Sequence, residues 1–370
     1  MTAGLPDRAG PETVHVDRVH VETVHVETVH VDTVDYHTAG EPFRIVVAGA
    51  PVIPGDSVAE RRAIAIGAGG TATAPRPGPL DDVRRLLTRE PRGHAGMYGG
   101  FLVPPDDDGA DLGVLFWHKD GYSTACGHGT IALGAWAVDS GLVAAPAYGV
   151  ARVRIDVPSG RVTALVNRAA GRTTGVAFRN VPSWVSGLKL PVETSRGTVE
   201  VAVAHSGACY VSAPAEALGL SVTLARLPEL TAIGREIRAA LADSPAVRHP
   251  VDPRLSGVYG VILYEELPAV DGALNQRNVT VFADGQIDRS PCGSGTSARL
   301  AVLAAEGRLE PGAELRHESI VGTVFGGRVL PGGDPWGDGV VTEVTGTAHR
   351  TGEHRFVLDP QDMLGAGFLL

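Results

Sequence analysis

The chain has 370 residues, 44% of them hydrophobic and 20% charged, with a formal net charge of −10, which is material for about two domains. No block of Lys or Arg stands out, so nucleic acid and anionic membrane surfaces are not expected partners. No apolar run approaches the roughly 20 residues that span a bilayer. The polar opening "MTAGLPDRAGPET" lacks a signal-peptide core, and an odd set of three cysteines (Cys126, Cys209, Cys292) does not suggest a secreted disulfide framework. The expected location is the cytoplasm.

Residues 1–33 read as an extension. A five-residue unit, Val-His-Val-acid-Thr or Arg, places His15, His20, His25 and His30 at equal intervals. Five matches neither regular period. In a strand, successive histidines alternate faces, and in a helix each is turned by about 140° from the last. Neither geometry collects four imidazoles around a metal, so the stretch is expected to be disordered or a loose edge strand.

From Val34 onward, short β-like runs ("FRIVVAG", "GVLFWH", "ARVRIDV", "RVTALV", "VEVAVAH", "GVILYEE", "RNVTVFA") alternate with turn clusters. Helical patterns cover about 58–66 and 81–89, separated by a Gly/Pro/Ala-rich loop. Two nearly unbroken apolar segments, 130–138 and 296–305, predict centrally buried helices, each stopped by a glycine.

The residues before those helices repeat one another. "ACGHGTIALGAWAVDSGLV" (125–143) aligns without a gap on "PCGSGTSARLAVLAAEGRL" (291–309), with Cys, Gly, Gly, Thr, two Ala and the terminal Gly shared. Gene duplication, giving two similar lobes about a pseudo-twofold axis, accounts for the match. A helix start offers unpaired N–H groups and a positive dipole end. With glycine allowing close approach, it is a carboxylate site. A cysteine there is expected to have its pKa lowered from about 8.5 toward neutrality. Two such ends face to face would hold one carboxylate between two sulfurs, a thiolate that takes a proton and a thiol that gives one. That suits inversion at the carbon next to the carboxylate. Cys126 and His128, two residues apart, make a poor hydrolase pair. Cys126, His128 and Cys292 fall short of a zinc site's usual complement of ligands, so no metal is expected. Cys209 reads as an inert small hydrophobe.

The segments "DYHTAGEPFRIV" (35–46), "EPRGHAGMYGG" (90–100), "ACGHGTIALG" (125–134), "RNVTVFADGQIDRSPCGSGTSARLAVL" (277–303) and "HESIVGTVFGGRV" (317–329) together resemble the proline racemase family. The resemblance implies a diaminopimelate-epimerase-like α/β (α+β) fold of two lobes, each a curved sheet around a central helix. The first lobe would take 34–175 plus 345–370 and the second 176–344. It also implies Cys126 and Cys292 as acid/base catalysts. Gly127, His128, Gly293 and Ser294 would contact the substrate's carboxylate and nitrogen, with Asp288 opposite its ammonium. No cofactor is implied, the substrate would be a small imino acid, and the family's usual homodimer is the expected assembly. Both cysteines are present where dehydratases of the family typically carry Ser or Thr in place of one. The expected activity is therefore epimerisation, with 4-hydroxyproline preferred as substrate; proline racemisation and hydroxyproline dehydration are the alternatives. The chain departs from the family pattern at Ala125, at Ser294, and at Ala208-Cys209, where relatives often place an aromatic wall.

Overall fold

The computed structural model describes residues 29–67, 78–332, 337, 339–365 and 367–370. Most of the histidine repeat lies outside this range. Its last unit does not: β1 (Val29–Thr38) begins inside the repeat and is paired on both sides. Val31 is fully buried there, so the strand is no loose edge, and the boundary expected after Thr33 comes several residues too late. A Val-x-Val alternation with one buried face is a strand pattern, and tertiary pairing supplies what the repeat alone lacks.

The chain then continues through β2 (Glu41–Ala48), α1 (Val58–Ala65), α2 (Pro79–Thr88), β3 (Tyr98–Val103), β4 (Leu112–His118), β5 (Gly121–Tyr122), α3 (Gly127–Asp139), β6 (Gly149–Val157), β7 (Gly160–Ala169) and β8 (Arg172–Arg179). The second half runs β9 (Trp184–Thr194), β10 (Gly197–His205), β11 (Cys209–Pro214), α4 (Leu227–Ala240), β12 (Val258–Val270), β13 (Ala273–Phe282), β14 (Gln286–Asp288), α5 (Gly293–Ala305), β15 (Glu314–Ser319), β16 (Val324–Val329), β17 (Thr342–Gly346) and β18 (Ala348–Leu358).

The strand pairings of the two halves are the same. In the first, β1–β2 is antiparallel, β2–β3 parallel, β3–β4 antiparallel and β4–β6 parallel, and β6, β7 and β8 follow antiparallel. In the second, β10–β11, β11–β12, β12–β13, β13–β15, β15–β16 and β16–β17 repeat that order of directions. Even the short hairpin strands match, β5 against β4 and β14 against β13. The lobes are stitched together by β8–β17, and β18 returns to pair with β1. The boundaries expected at 175/176 and 344/345 therefore cut through β8 and β17. The polar turn cluster before Val176 lies at the β7–β8 hairpin, within one lobe.

Each lobe wraps a helix with almost no polar face. From Gly127 to Val138, every residue of α3 is buried, packed on Val153, Ala164, Val166, Val176 and Phe178. Ala298 and Val302 of α5 pack against Ala202, Ala204 and Ile262. The fully buried Arg299 is accommodated because its guanidinium stacks 3.9 Å over the Tyr264 ring and donates to Gln276. Helix α4, which the sequence reading did not pick out, covers the outer face of the second lobe through Leu230, Ile233 and Ile237. Among the described residues, no helix is long and apolar enough to cross a membrane.

Candidate active site

The two helix starts abut. A Cβ placed on Gly127 would lie 2.6 Å from the Cα of Gly293, and one placed on Gly293 would lie 2.7 Å from the Cα of Gly127. Only glycine permits this approach. Each end is also held alike from behind. Thr38 Oγ1 donates to the His128 carbonyl at 2.9 Å, and Ser206 Oγ donates to the Ser294 carbonyl at 2.8 Å. His128 and Ser294 occupy the same place in the two copies, so the duplication extends to the hydroxyls that anchor them.

Both cysteines face one small cavity between these ends. Its volume is about 10 Å³, room for a single water at most. Tyr98, Ala125, Gly127, His128, Tyr210, Tyr259, Phe282, Asp288 and Gly293 complete the wall. Of the residues expected at the site, Cys126, Gly127, His128, Asp288, Cys292 and Gly293 meet there. Ser294 does not. It is buried next to the cavity with its Oγ unpaired, and only its backbone N lies against Gly127. The aromatic side chains escaped the sequence reading, because tyrosines next to glycines in "MYGG" and "VYGV" carry no chemical signature. The missing wall at Ala208-Cys209 is supplied one position later by Tyr210, the next residue on β11 that faces inward. Cys209 itself is buried among apolar neighbours, with its thiol pushed up to about 12 by desolvation.

Cys126 caps α3, and its sulfur accepts from Gly129 N at 3.2 Å and lies 3.4 Å from His128 Nδ1. Cys292 Sγ stands 3.8 Å from Tyr210 Oη. Asp288, at the end of β14, receives the Ser290 N–H and hydroxyl on Oδ1, while Ser290 Oγ accepts from Cys292 N. That relay steadies Cys292 at φ +64, an unusual setting for a non-glycine residue. The other carboxylate oxygen of Asp288 lies 3.8 Å from His128 Nδ1.

The electrostatics correct one expectation. Burial pushes both thiols well above the ordinary cysteine value, and the Asp288 carboxylate adds to the push. At Cys126 the Gly129 N–H works the other way without reversing the shift. Lowering by a helix start presumes some exposure to solvent, and here desolvation of the thiolate outweighs it. His128 is lowered to about 4 by burial, against the pull of Asp288, so its imidazole is neutral at pH 7.

Comparison with known proteins agrees with this architecture. The proline racemase family model matches residues 33–369. A trans-3-hydroxy-L-proline dehydratase of Bacillus cereus is 40% identical, the alignment covering 91% of this chain and 97% of that one. A 3-hydroxyproline 2-epimerase of Burkholderia multivorans is 41% identical, with the same coverage. The crystal structure of a hydroxyproline epimerase from Agrobacterium vitis with bound trans-4-hydroxy-L-proline superposes with a TM-score of 0.83 at 29% identity, covering 92% of this chain and 95% of that one. Matched by the family model over residues 33–369, and by a relative and a solved structure over about nine-tenths of its length, the chain is an enzyme that belongs to the proline racemase family.

Proposed function

We propose that this chain is a cofactor-independent hydroxyproline 2-epimerase, in which Cys126 and Cys292 exchange the α-proton from opposite faces of the ring. The observation that carries this reading is the abutment of two equivalent helix starts at Gly127 and Gly293, with a thiol from each lining one small cavity. The substrate carboxylate would accept from N–H groups of both helix starts, including those of Gly127, His128, Gly293 and Ser294. Asp288 would face the ring's secondary ammonium, and neutral His128 would brace Cys126 or accept from the nitrogen. As the α-proton leaves to one sulfur, negative charge spreads into the carboxylate, where the two dipole ends stabilise it. The opposite thiol then delivers a proton and inversion follows. A desolvated thiolate suits the task, since a thiol pushed upward is a stronger base once ionised. The ammonium of the entering substrate favours that ionisation.

Relatives near 40% identity carry 3-hydroxyproline in their names. The 3-hydroxy isomer is therefore placed ahead of the 4-hydroxyproline favoured from sequence alone. Dehydration of 3-hydroxyproline is the second reading, supported by the dehydratase relatives; it begins with the same proton abstraction and ends with loss of the ring hydroxyl. The deciding experiment incubates the protein separately with trans-3-hydroxy-L-proline, trans-4-hydroxy-L-proline and L-proline in D2O and follows the α-proton by NMR. Deuterium at an inverted α-carbon supports the epimerase. A cyclic imine lacking the hydroxyl supports the lyase, and no exchange with any of the three overturns both.

A further inference from the structure

The catalytic cavity shares a wall with a second, larger one of about 600 Å³, lined among others by Ser123, Tyr259, Cys209, Arg62 and Arg254. Three hydroxyls from separate segments form that wall. Tyr98 Oη is 2.5 Å from Ser123 Oγ and 3.0 Å from Tyr259 Oη, and Ser123 Oγ is 3.0 Å from Tyr259 Oη. Tyr98 and Tyr259 face the catalytic cavity, while Ser123 and Tyr259 face the larger one. Three hydroxyls carry three protons and make three contacts, so each donates once and accepts once. Acceptor capacity is left over on the oxygens.

The other polar groups around the catalytic cavity are already engaged. The two thiols perform the proton exchange. Asp288 holds Ser290 on one oxygen and would face the substrate ammonium with the other, and Tyr210 Oη accepts from the Cys292 thiol at 3.8 Å. A ring hydroxyl entering this space needs a partner, because a hydroxyl buried without one is strongly disfavoured. Spare acceptors on two hydroxyls, Tyr98 and Tyr259, face this space away from Tyr210, the Cys292 sulfur's own partner.

We infer that the Tyr98–Ser123–Tyr259 triangle is the specificity determinant that receives the ring hydroxyl of the substrate and separates hydroxyproline from proline. This rests on the reading of the chain as a hydroxyproline enzyme and names the residues that would make it one. Proline leaves the triangle closed on itself and satisfied, so discrimination comes from one hydrogen bond gained with hydroxyproline, worth about 5- to 10-fold in affinity.

The test measures dissociation constants of trans-3-hydroxy-L-proline and L-proline by titration calorimetry for the wild type, Tyr259→Phe and Tyr98→Phe, the two triangle members that face the catalytic cavity. The preference for the hydroxylated ligand should fall about 5- to 10-fold in each variant. Both constants are taken on one preparation of each protein, so a loss of folded material cancels from the ratio. A ratio within about twofold of wild type in both variants overturns the inference, as does equal binding of the two ligands by the wild type. Proton exchange is recorded on the same samples. Selective binding that the variants lose, without exchange, overturns the epimerase reading and leaves the triangle's role standing.

Discussion

Adding one methyl group at Gly293 tests the face-to-face geometry directly. In Gly293→Ala, the new Cβ would sit 2.7 Å from the Cα of Gly127 and 2.8 Å from its carbonyl carbon. Both obstacles are backbone, so no rotamer change relieves the contact. Ordinary contact begins at 3.4 Å, and the two helix starts must separate by about 0.7 Å. Overpacking of this kind costs about 1–3 kcal/mol of stability. The effect on turnover should be larger, because misplacing catalytic groups by about 1 Å can lower a rate by roughly 100-fold. Gly134→Ala on α3, the helix that faces Gly293 across the contact, serves as the control: its Cβ would meet the Ala164 Cβ at 2.6 Å, in the core away from the cysteines. The measurements are urea unfolding and α-proton exchange in D2O on both variants. Gly134→Ala should lose stability while its exchange rate per folded molecule stays within about threefold of wild type. Gly293→Ala should lose about 100-fold in exchange. Exchange in Gly293→Ala within about threefold of wild type would refute the idea that closeness of the two helix starts sets the rate.

Cys126→Ser and Cys292→Ser should each lower inversion by about 10²–10⁴-fold without lowering the unfolding midpoint appreciably; wild-type rates in both would remove the two-thiol mechanism. Because both thiols are raised, exchange in the wild type should keep climbing as pH increases from 7 through 9, which a pH–rate profile reads directly. Acid should destabilise the fold early. His118 and His317 are lowered to about 3 and His128 to about 4 by burial, so the unfolded chain takes up their protons first. Each histidine then removes about 1.4 kcal/mol per pH unit as pH falls below about 6.5 toward its folded value. Glu41 works the other way, since burial and Asp288 raise its carboxyl against the attraction of Arg289. Urea unfolding at pH 6 and pH 5 should therefore show a net loss of roughly 3 kcal/mol, and equal stability at the two would contradict the burial of these rings. Finally, Val31→Asp should destabilise the protein by about 3 kcal/mol or more, read by the same unfolding assay, because it places a carboxylate at a fully buried point of β1.

Much of the site was legible because the duplication is written in the residues themselves. Cys-Gly-x-Gly-Thr before an apolar run announces a helix start twice, and both starts stand where that pattern places them, from Gly127 and from Gly293. The strand runs were equally readable from their alternation. Other features depend on pairing across long distances in the chain. Nothing local reveals that Val29–Thr33 pairs with β18 and, from Asp32, with β2 as well, or that β8 binds β17 and so closes the first lobe later than Gly175. The aromatic wall is of the same kind: Tyr98, Tyr210, Tyr259 and Phe282 converge from four strands. The direction of the thiol shift was misjudged because a motif shows the dipole beside a cysteine and not the depth at which the cysteine lies.

One departure from the pseudo-twofold bears on how such an enzyme can change over time. Cys126 rests in extended backbone at φ −157, whereas Cys292 sits at φ +64 under the hold of Ser290 and Asp288. Twin parts with unlike supports do not have to mutate together. A lineage could exchange one sulfur for a hydroxyl while the mounting of its twin stayed untouched, and so redirect a common carbanion toward a different product. The copying event that built the cleft also left its two banks free to drift apart.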